Sequence, residues 1–161
     1  MARLLTENRE FMTPWEPFRE DAFFTEKAQR KVIEAALDSC ERGAALPHVI
    51  LSPDDPDEIA GRVTLNNIVR GAFQSASVGY FVGQRYNGRG LATAAVGDMK
   101  RRAFEDLDLH RLEAGTLKHN IGSQKVLQRN GFERFGIAPS YLRIAGEWQD
   151  HILFQVLNAQ S

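Results

Sequence analysis

Arg85-Tyr86-Asn87-Gly88-Arg89-Gly90-Leu91-Ala92 lies between an apolar, strand-like segment, Val78 to Val82, and a long amphipathic segment that begins at Leu91. Strand, glycine-spaced turn and helix start, in that order, put several backbone N–H groups at a helix N-terminus with no large side chain to cover them. The donors of a first helical turn have no intrahelical partner, and the helix dipole favours negative charge there, so such a site suits a phosphate. Arg85 and Arg89 frame it. A G-x-G pair is equally compatible with a plain tight turn, and two familiar nucleotide sites do not fit. A P-loop needs Lys and Ser/Thr after its second glycine, where this chain has Leu91 and Ala92; the dinucleotide fingerprint needs a third glycine, where it has Thr93.

The chain has 161 residues, enough for one domain with a full core, here taken as 1–161. Twenty basic against 21 acidic residues leave a net charge of −1, so no broad field for nucleic acid or a membrane surface is expected, and any anion site must be local. The single cysteine, Cys40, excludes an internal disulfide and reads as a small core residue on a helix face. No apolar run approaches membrane length, and Met1–Glu10 lacks the pattern of a signal peptide; the expected location is the cytoplasm.

Leu4 to Met12 reads as a helix stopped before the stiff loop Pro14-Trp15-Glu16-Pro17. Thr25 caps a second helix running to about Arg42, with Ala28, Val32, Ala36 and Cys40 inward and Gly43 as its stop. Strands are predicted at His48–Leu51, Ile59–Ile68 and Ser77–Val82, the last two as antiparallel neighbours. A helix over Leu91–Glu105 follows, with Leu91, Ala95, Met99 and Ala103 inward. Next come a strand at Arg111–Leu117, a helix over Ile121–Asn130 ended by Gly131, and a hairpin of Tyr141–Ile144 and Trp148–Val156. Helices, a meander and strand–helix–strand units on one sheet make a mixed α/β domain.

With these elements in order, the chain resembles the GCN5-related N-acetyltransferases (GNAT), and within them the ribosomal-protein N-terminal acetyltransferases of the RimJ/RimL type. The motifs are Arg85-x-x-Gly88-x-Gly90, then Asn120-x-x-Ser123-x-x-x-Leu127-x-Arg129-x-Gly131-Phe132. The hairpin Tyr141–His151 and the opening Glu7-Asn8-Arg9-Glu10-Phe11-Met12 with Pro14-Trp15-Glu16-Pro17 also match. The implied fold is a mixed, mostly antiparallel twisted sheet flanked by helices, with a splayed central strand pair. The implied co-substrate is acetyl-CoA, with no metal.

By this resemblance the N–H groups from Gly88 through Arg89, Gly90 and Leu91 to Ala92 hold the pyrophosphate. Arg85 and Arg89 flank it, and the pantetheine arm lies in the wedge as a pseudo-strand. A backbone N–H near Val82 polarises the thioester carbonyl. Asn120 contacts the pantetheine arm and also suits a helix N-cap. Many relatives carry a tyrosine at the position of Leu127 to protonate the leaving thiolate. This chain lacks it, and Ser123, placed near the sulfur in RimL-type enzymes, is expected to hydrogen-bond the sulfur. A thiol with pKa about 8–9, by analogy with cysteine, leaves well as thiolate.

The general base stays open. RimL-type enzymes carry a glutamate where this chain has Ser140; Glu16, Glu113 and Glu147 are candidate replacements, while Asp150 is expected to organise the strand start. An α-amino group, with a pKa near 8, is roughly a quarter neutral at about pH 7.5, whereas a lysine is neutral about one time in a thousand. A missing carboxylate therefore favours a terminal α-amine, deprotonated through water. The expected acceptor is a protein N-terminus. The alternatives are a small-molecule amine within the same chemistry, or a non-catalytic acyl-CoA-binding module, for which Leu127 and Ser140 speak. The family fold also opens with a strand before its first helix, and only Ala2-Arg3-Leu4-Leu5 stands in front here. Either the chain begins downstream of a natural start, or the sheet lacks that strand and bares an edge at His48–Leu51 for a partner chain, a homodimer.

Overall fold

A computed structural model describes residues 1–159. Its centre is a six-stranded sheet of β1 (Leu46–Leu51), β2 (Ile59–Val69), β3 (Ser75–Val82), β4 (Arg111–Leu117), β5 (Glu133–Ile144) and β6 (Glu147–Leu157), in the order β1-β2-β3-β4-β6-β5. All neighbours are antiparallel except β3 and β4, which run parallel and pair only at Ser75–Arg111, Ala76–Leu112 and Ser77–Glu113. Beyond Ser77 the two strands part. The expected splayed pair is present at the expected strands.

One face of the sheet carries α4 (Leu91–Arg101) and α5 (Ile121–Arg129). Val96 and Met99 of α4 and Leu127 of α5 meet Leu65, Leu112 and Phe154 from the strands, all at most 2% exposed. Each such fully buried side chain stabilises by roughly 1.5–3 kcal/mol relative to exposure. On the opposite face Phe81 packs with Leu4 and Leu5 of α1 (Ala2–Glu7). β3 is thus clamped from both sides, which fixes where its last residues point.

Several boundaries differ from the sequence reading. The first helix breaks at Asn8, leaving α1 and a short α2 (Arg9–Met12). Asn8 is buried: its Nδ2 donates to the Leu4 carbonyl (2.8 Å), and its Oδ1 accepts from the N–H of Gln84 (2.7 Å). The break therefore ties the N-terminal segment to the turn that follows β3. The helix from Leu91 ends as a π-turn at Arg102–Asp106.

In α3 (Glu26–Glu41) Thr25 accepts from the N–H of Ala28, and Gly43 closes the helix at φ +69° as expected. Its inward stripe is shallow, however. Val32 is exposed, Cys40 is half-buried and only Gln29 is buried. β5 begins at Glu133, eight residues before the predicted start. It is an outer strand carrying Gly136 and Pro139, exposed along most of its length, so it shows none of the alternation that marks a half-buried strand. β1 is the other outer strand, with Val49 and Leu51 exposed. Among the described residues no strand precedes α1, and no helix is long and apolar enough to cross a membrane.

Candidate active site

The turn after β3 brings Gly88 and Gly90 into the left-handed region, at φ +77° and +79°, where a side chain would be strained. A β-carbon at either would meet no atom within 4 Å, so packing does not impose the glycines; the backbone conformation does. Gly90 is the N-cap of α4 and supplies no side-chain cap. The first N–H of α4 to find an intrahelical carbonyl is that of Ala94, bonded to Gly90 (2.9 Å), which leaves the N–H groups of Leu91, Ala92 and Thr93 unpaired within the helix. These residues, with Gly88, line a cleft of about 590 Å³.

The two arginines face a different set of partners. Arg89 makes a two-pronged ion pair with Asp54 in the β1–β2 loop (2.6 and 2.8 Å), and this guanidinium holds the Asp54 carboxyl below its ordinary pKa. Arg85 donates to the buried Tyr86 hydroxyl (2.6 Å) and pairs with Glu58. The Tyr86 hydroxyl, and then Arg85, hold the Glu58 carboxyl down in the same way. Neither guanidinium is among the groups that line the cleft. A larger groove of about 720 Å³ lies between α1 and α3 and reaches the motif only at Arg85.

The cleft continues into the wedge between β3 and β4. The Gly83 N–H donates to the Ala60 carbonyl (2.8 Å), so the odd-numbered residues of β3 turn their peptide groups to β2. Alternate residues of an antiparallel strand turn to opposite edges, which aims the N–H groups of Val78, Tyr80 and Val82 at the wedge. No β4 residue pairs with them there. Asn120 caps α5, its Oδ1 accepting from the N–H of Ser123 (3.1 Å). Ser123 Oγ lies 2.8 Å from the hydroxyl of Tyr80.

A splayed parallel pair with free peptide groups, ending in a glycine turn at an open helix N-terminus, is the arrangement the sequence motifs anticipated. The family model for the acetyltransferase (GNAT) domain matches residues 1–133. The chain belongs to the GNAT family. It is 39% identical over 155 residues to "Probable N-acetyltransferase YjcK" of Bacillus subtilis (strain 168), covering 96% of this chain and 85% of that protein. It is 35% identical over 157 residues to "[Ribosomal protein uS5]-alanine N-acetyltransferase" of Escherichia coli (strain K12), covering 95% of this chain and 78% of that protein. Among solved structures, Mycobacterium smegmatis RimJ in complex with CoA-disulfide superimposes with a TM-score of 0.92 at 29% identity, over 99% of this chain and 76% of that one. The protein is an acyltransferase, and its co-substrate is acetyl-CoA.

In this GNAT enzyme a second cavity, about 170 Å³, adjoins the cleft within the wedge itself, between Val78–Tyr80 of β3 and Ala114–Leu117 of β4. Met12, Trp15, Tyr80, Asn120 and Ser123 line both. Trp15 packs on His119 with ring centroids 5.4 Å apart, walling the junction of the two spaces. Of the three candidate bases only Glu16 reaches the second cavity, with Arg62 3.8 Å from its carboxylate. Glu113 pairs with Arg111 (3.2 Å) at the closed end of the wedge, and Glu147 is exposed at the hairpin.

Asp150 organises the hairpin. It accepts from Lys118 (2.6 Å) and from the N–H of Ser140 (2.9 Å), which sits at φ +45° in an irregular stretch of β5. Lys118 first, and then that N–H, keep the Asp150 carboxyl below its usual range. The sequence reading gave no role to Tyr80, His119 or His151. His151 is 3% exposed, bonds the Gln149 carbonyl through Nδ1 (3.0 Å) and lines the second cavity. Alternation along β3 places Tyr80 on the face of Val78 and Val82, which was the one available signal; its partner across the wedge left none.

Proposed function

We propose that the protein transfers the acetyl group of acetyl-CoA to the N-terminal α-amine of a protein whose first residue is small, alanine foremost. The observation that carries this reading is the pair of adjoining cavities sharing Tyr80, Asn120 and Ser123, one reaching the glycine turn and the other lined by Glu16 and His151. The 35% identity to an alanine N-acetyltransferase of a ribosomal protein supports the choice of acceptor.

In this reading the N–H groups of Gly88 to Ala92 hold the pyrophosphate against the dipole of α4, while Arg85 and Arg89, engaged by Glu58 and Asp54, brace the turn at its flanks. Pantetheine pairs with the free edge of β3. The N–H of Val82 points at the thioester carbonyl, where it stabilises the oxyanion formed as the amine attacks. The amine attacks directly: the carbon–nitrogen bond forms, the carbon–sulfur bond breaks, and sulfur leaves with the electron pair. An α-amine needs only a modest base. Its proton leaves through water in the second cavity, beside Glu16 and His151. Ser123 donates a hydrogen bond to the departing sulfur.

Mass spectrometry of peptides incubated with the protein and acetyl-CoA tests this. Peptides beginning with alanine are expected to gain acetyl at the α-amine, while internal lysines and a polyamine stay unmodified. Preferred acetylation of the polyamine would assign a small-molecule acceptor instead. Acetyl-CoA binding with no amine modified would leave a ligand-binding module.

Asn120→Ala is expected to act twice. Loss of the α5 cap costs about 1 kcal/mol, or about 2–4 °C in melting temperature for a chain of this size. Loss of a pantetheine contact weakens acetyl-CoA about tenfold by calorimetry. A lowered melting temperature with unchanged affinity would restrict Asn120 to capping.

A further inference from the structure

We propose that Tyr80 is a positioning residue for the leaving group: its hydroxyl holds the Ser123 hydroxyl so that Ser123 donates to the sulfur of coenzyme A as the carbon–sulfur bond breaks. The inference rests on the acetyl-transfer reading above and assigns it a residue that the family motifs do not contain.

Three observations carry it. The Tyr80 hydroxyl lies 2.8 Å from Ser123 Oγ and 3.1 Å from the Ser123 carbonyl oxygen, so both groups of one residue engage the same phenol. Tyr80 and Ser123 line the cofactor cleft and the acceptor cavity alike, which puts their hydroxyl pair where thioester and amine must meet. The other two tyrosines make other contacts. Tyr86 is held by Arg85 and Glu58, and Tyr141 lies against His151 on the hairpin.

The pair has two hydrogen-bonded arrangements. A phenol has one hydrogen to give. If Tyr80 gives it to the Ser123 carbonyl, its oxygen accepts from Ser123 Oγ, and the serine has no hydrogen left for the cleft. If Tyr80 gives it to Ser123 Oγ, the serine hydrogen is released towards the cleft. Negative charge developing on sulfur selects the second arrangement, because a charge-assisted hydrogen bond is about twice as strong as a neutral one. The switch needs two hydroxyl rotations and no movement of heavy atoms.

Tyr80 does not give its own proton away. Burial pushes its pKa up to about 12, against the opposing pull of the Ser123 hydrogen bond. The thiolate's conjugate acid titrates near 8–9 by analogy with cysteine, so the phenol stays protonated and acts only through Ser123. Without the phenol, the Ser123 hydroxyl is free to turn back to a carbonyl of the preceding turn.

Tyr80→Phe keeps the ring and removes the oxygen. It is expected to lower kcat about tenfold while the KM for acetyl-CoA stays within about twofold, and Ser123→Ala is expected to do the same. Because the two act as one unit, the double variant should be no slower than Ser123→Ala alone. A second readout is independent of turnover. With coenzyme A bound, the thiol is titrated through the ultraviolet absorbance of its thiolate, and Tyr80→Phe and Ser123→Ala should each raise its pKa by about half a unit, roughly threefold in acidity. Rate losses that multiply in the double variant, or coincident thiol titrations of wild type and Tyr80→Phe, would overturn the assignment. A wild-type protein that acetylates no amine would overturn the acetyl-transfer reading, and the thiol titration would then decide the role of Tyr80 by itself.

Discussion

Gly90→Asp is expected to abolish acetyl-CoA binding while leaving the fold in place. The residue is the N-cap of α4 at φ +79°, and a β-carbon there meets no packed neighbour within 4 Å. Aspartate tolerates the left-handed region better than most residues, so the folded state loses only about 1–2 kcal/mol. The ligand loses more. A carboxylate about 4 Å from one phosphate charge, at an effective dielectric near 20, repels it by about 4 kcal/mol, or nearly a thousandfold in affinity before salt screening. Calorimetry at moderate ionic strength should show acetyl-CoA binding weakened at least about a hundredfold, with the circular dichroism spectrum retained. Gly90→Ala separates the causes: it carries the backbone strain without the charge and should lose far less. Affinity within threefold of wild type for Gly90→Asp would move the diphosphate away from this helix.

The features legible in the sequence were those written over a few adjacent residues. Gly88 and Gly90 announce a turn because few other residues accept their φ values. Asn120 and Gly131 bracket α5, and Arg111–Leu117 alternates cleanly enough that its bounds match. What escaped was nonlocal. Tyr80 and Ser123 meet across 43 residues of sequence, and Arg89 finds Asp54 across 35; no periodicity encodes either pair. Asn8 looked like any polar residue in a helix, yet its two side-chain bonds to Leu4 and Gln84 break the helix and dock it beside the glycine turn. The start of β5 was hidden for the opposite reason. An exposed outer strand has no buried face to repeat, and Gly136 and Pro139 read locally as loop.

Leu127→Ala is expected to cost stability rather than chemistry. Leu127 stands where the family resemblance implies a proton-donating tyrosine in many relatives, yet its side chain is 0% exposed and packs in the main core with Val96, Met99 and Phe132. Removing most of a fully buried leucine leaves a cavity and costs about 2–5 kcal/mol. Against the 5–15 kcal/mol of a typical domain that is a large fraction, and the melting temperature should fall by roughly 5–15 °C. At temperatures where the variant stays folded, its affinity for acetyl-CoA should remain within a few-fold of wild type. Leu127→Tyr sharpens the point. It restores the hydroxyl that relatives carry, but a larger ring in a filled core forces strain of about 1–3 kcal/mol. It should therefore lower the melting temperature without raising kcat. A rise in kcat would show that this site still answers to a phenol from α5, whereas no rise fits a leaving group already served from β3 through Tyr80 and Ser123. A Leu127→Ala variant melting within about 1 °C of wild type would mean that the α5 contact with the sheet is far looser than its burial indicates.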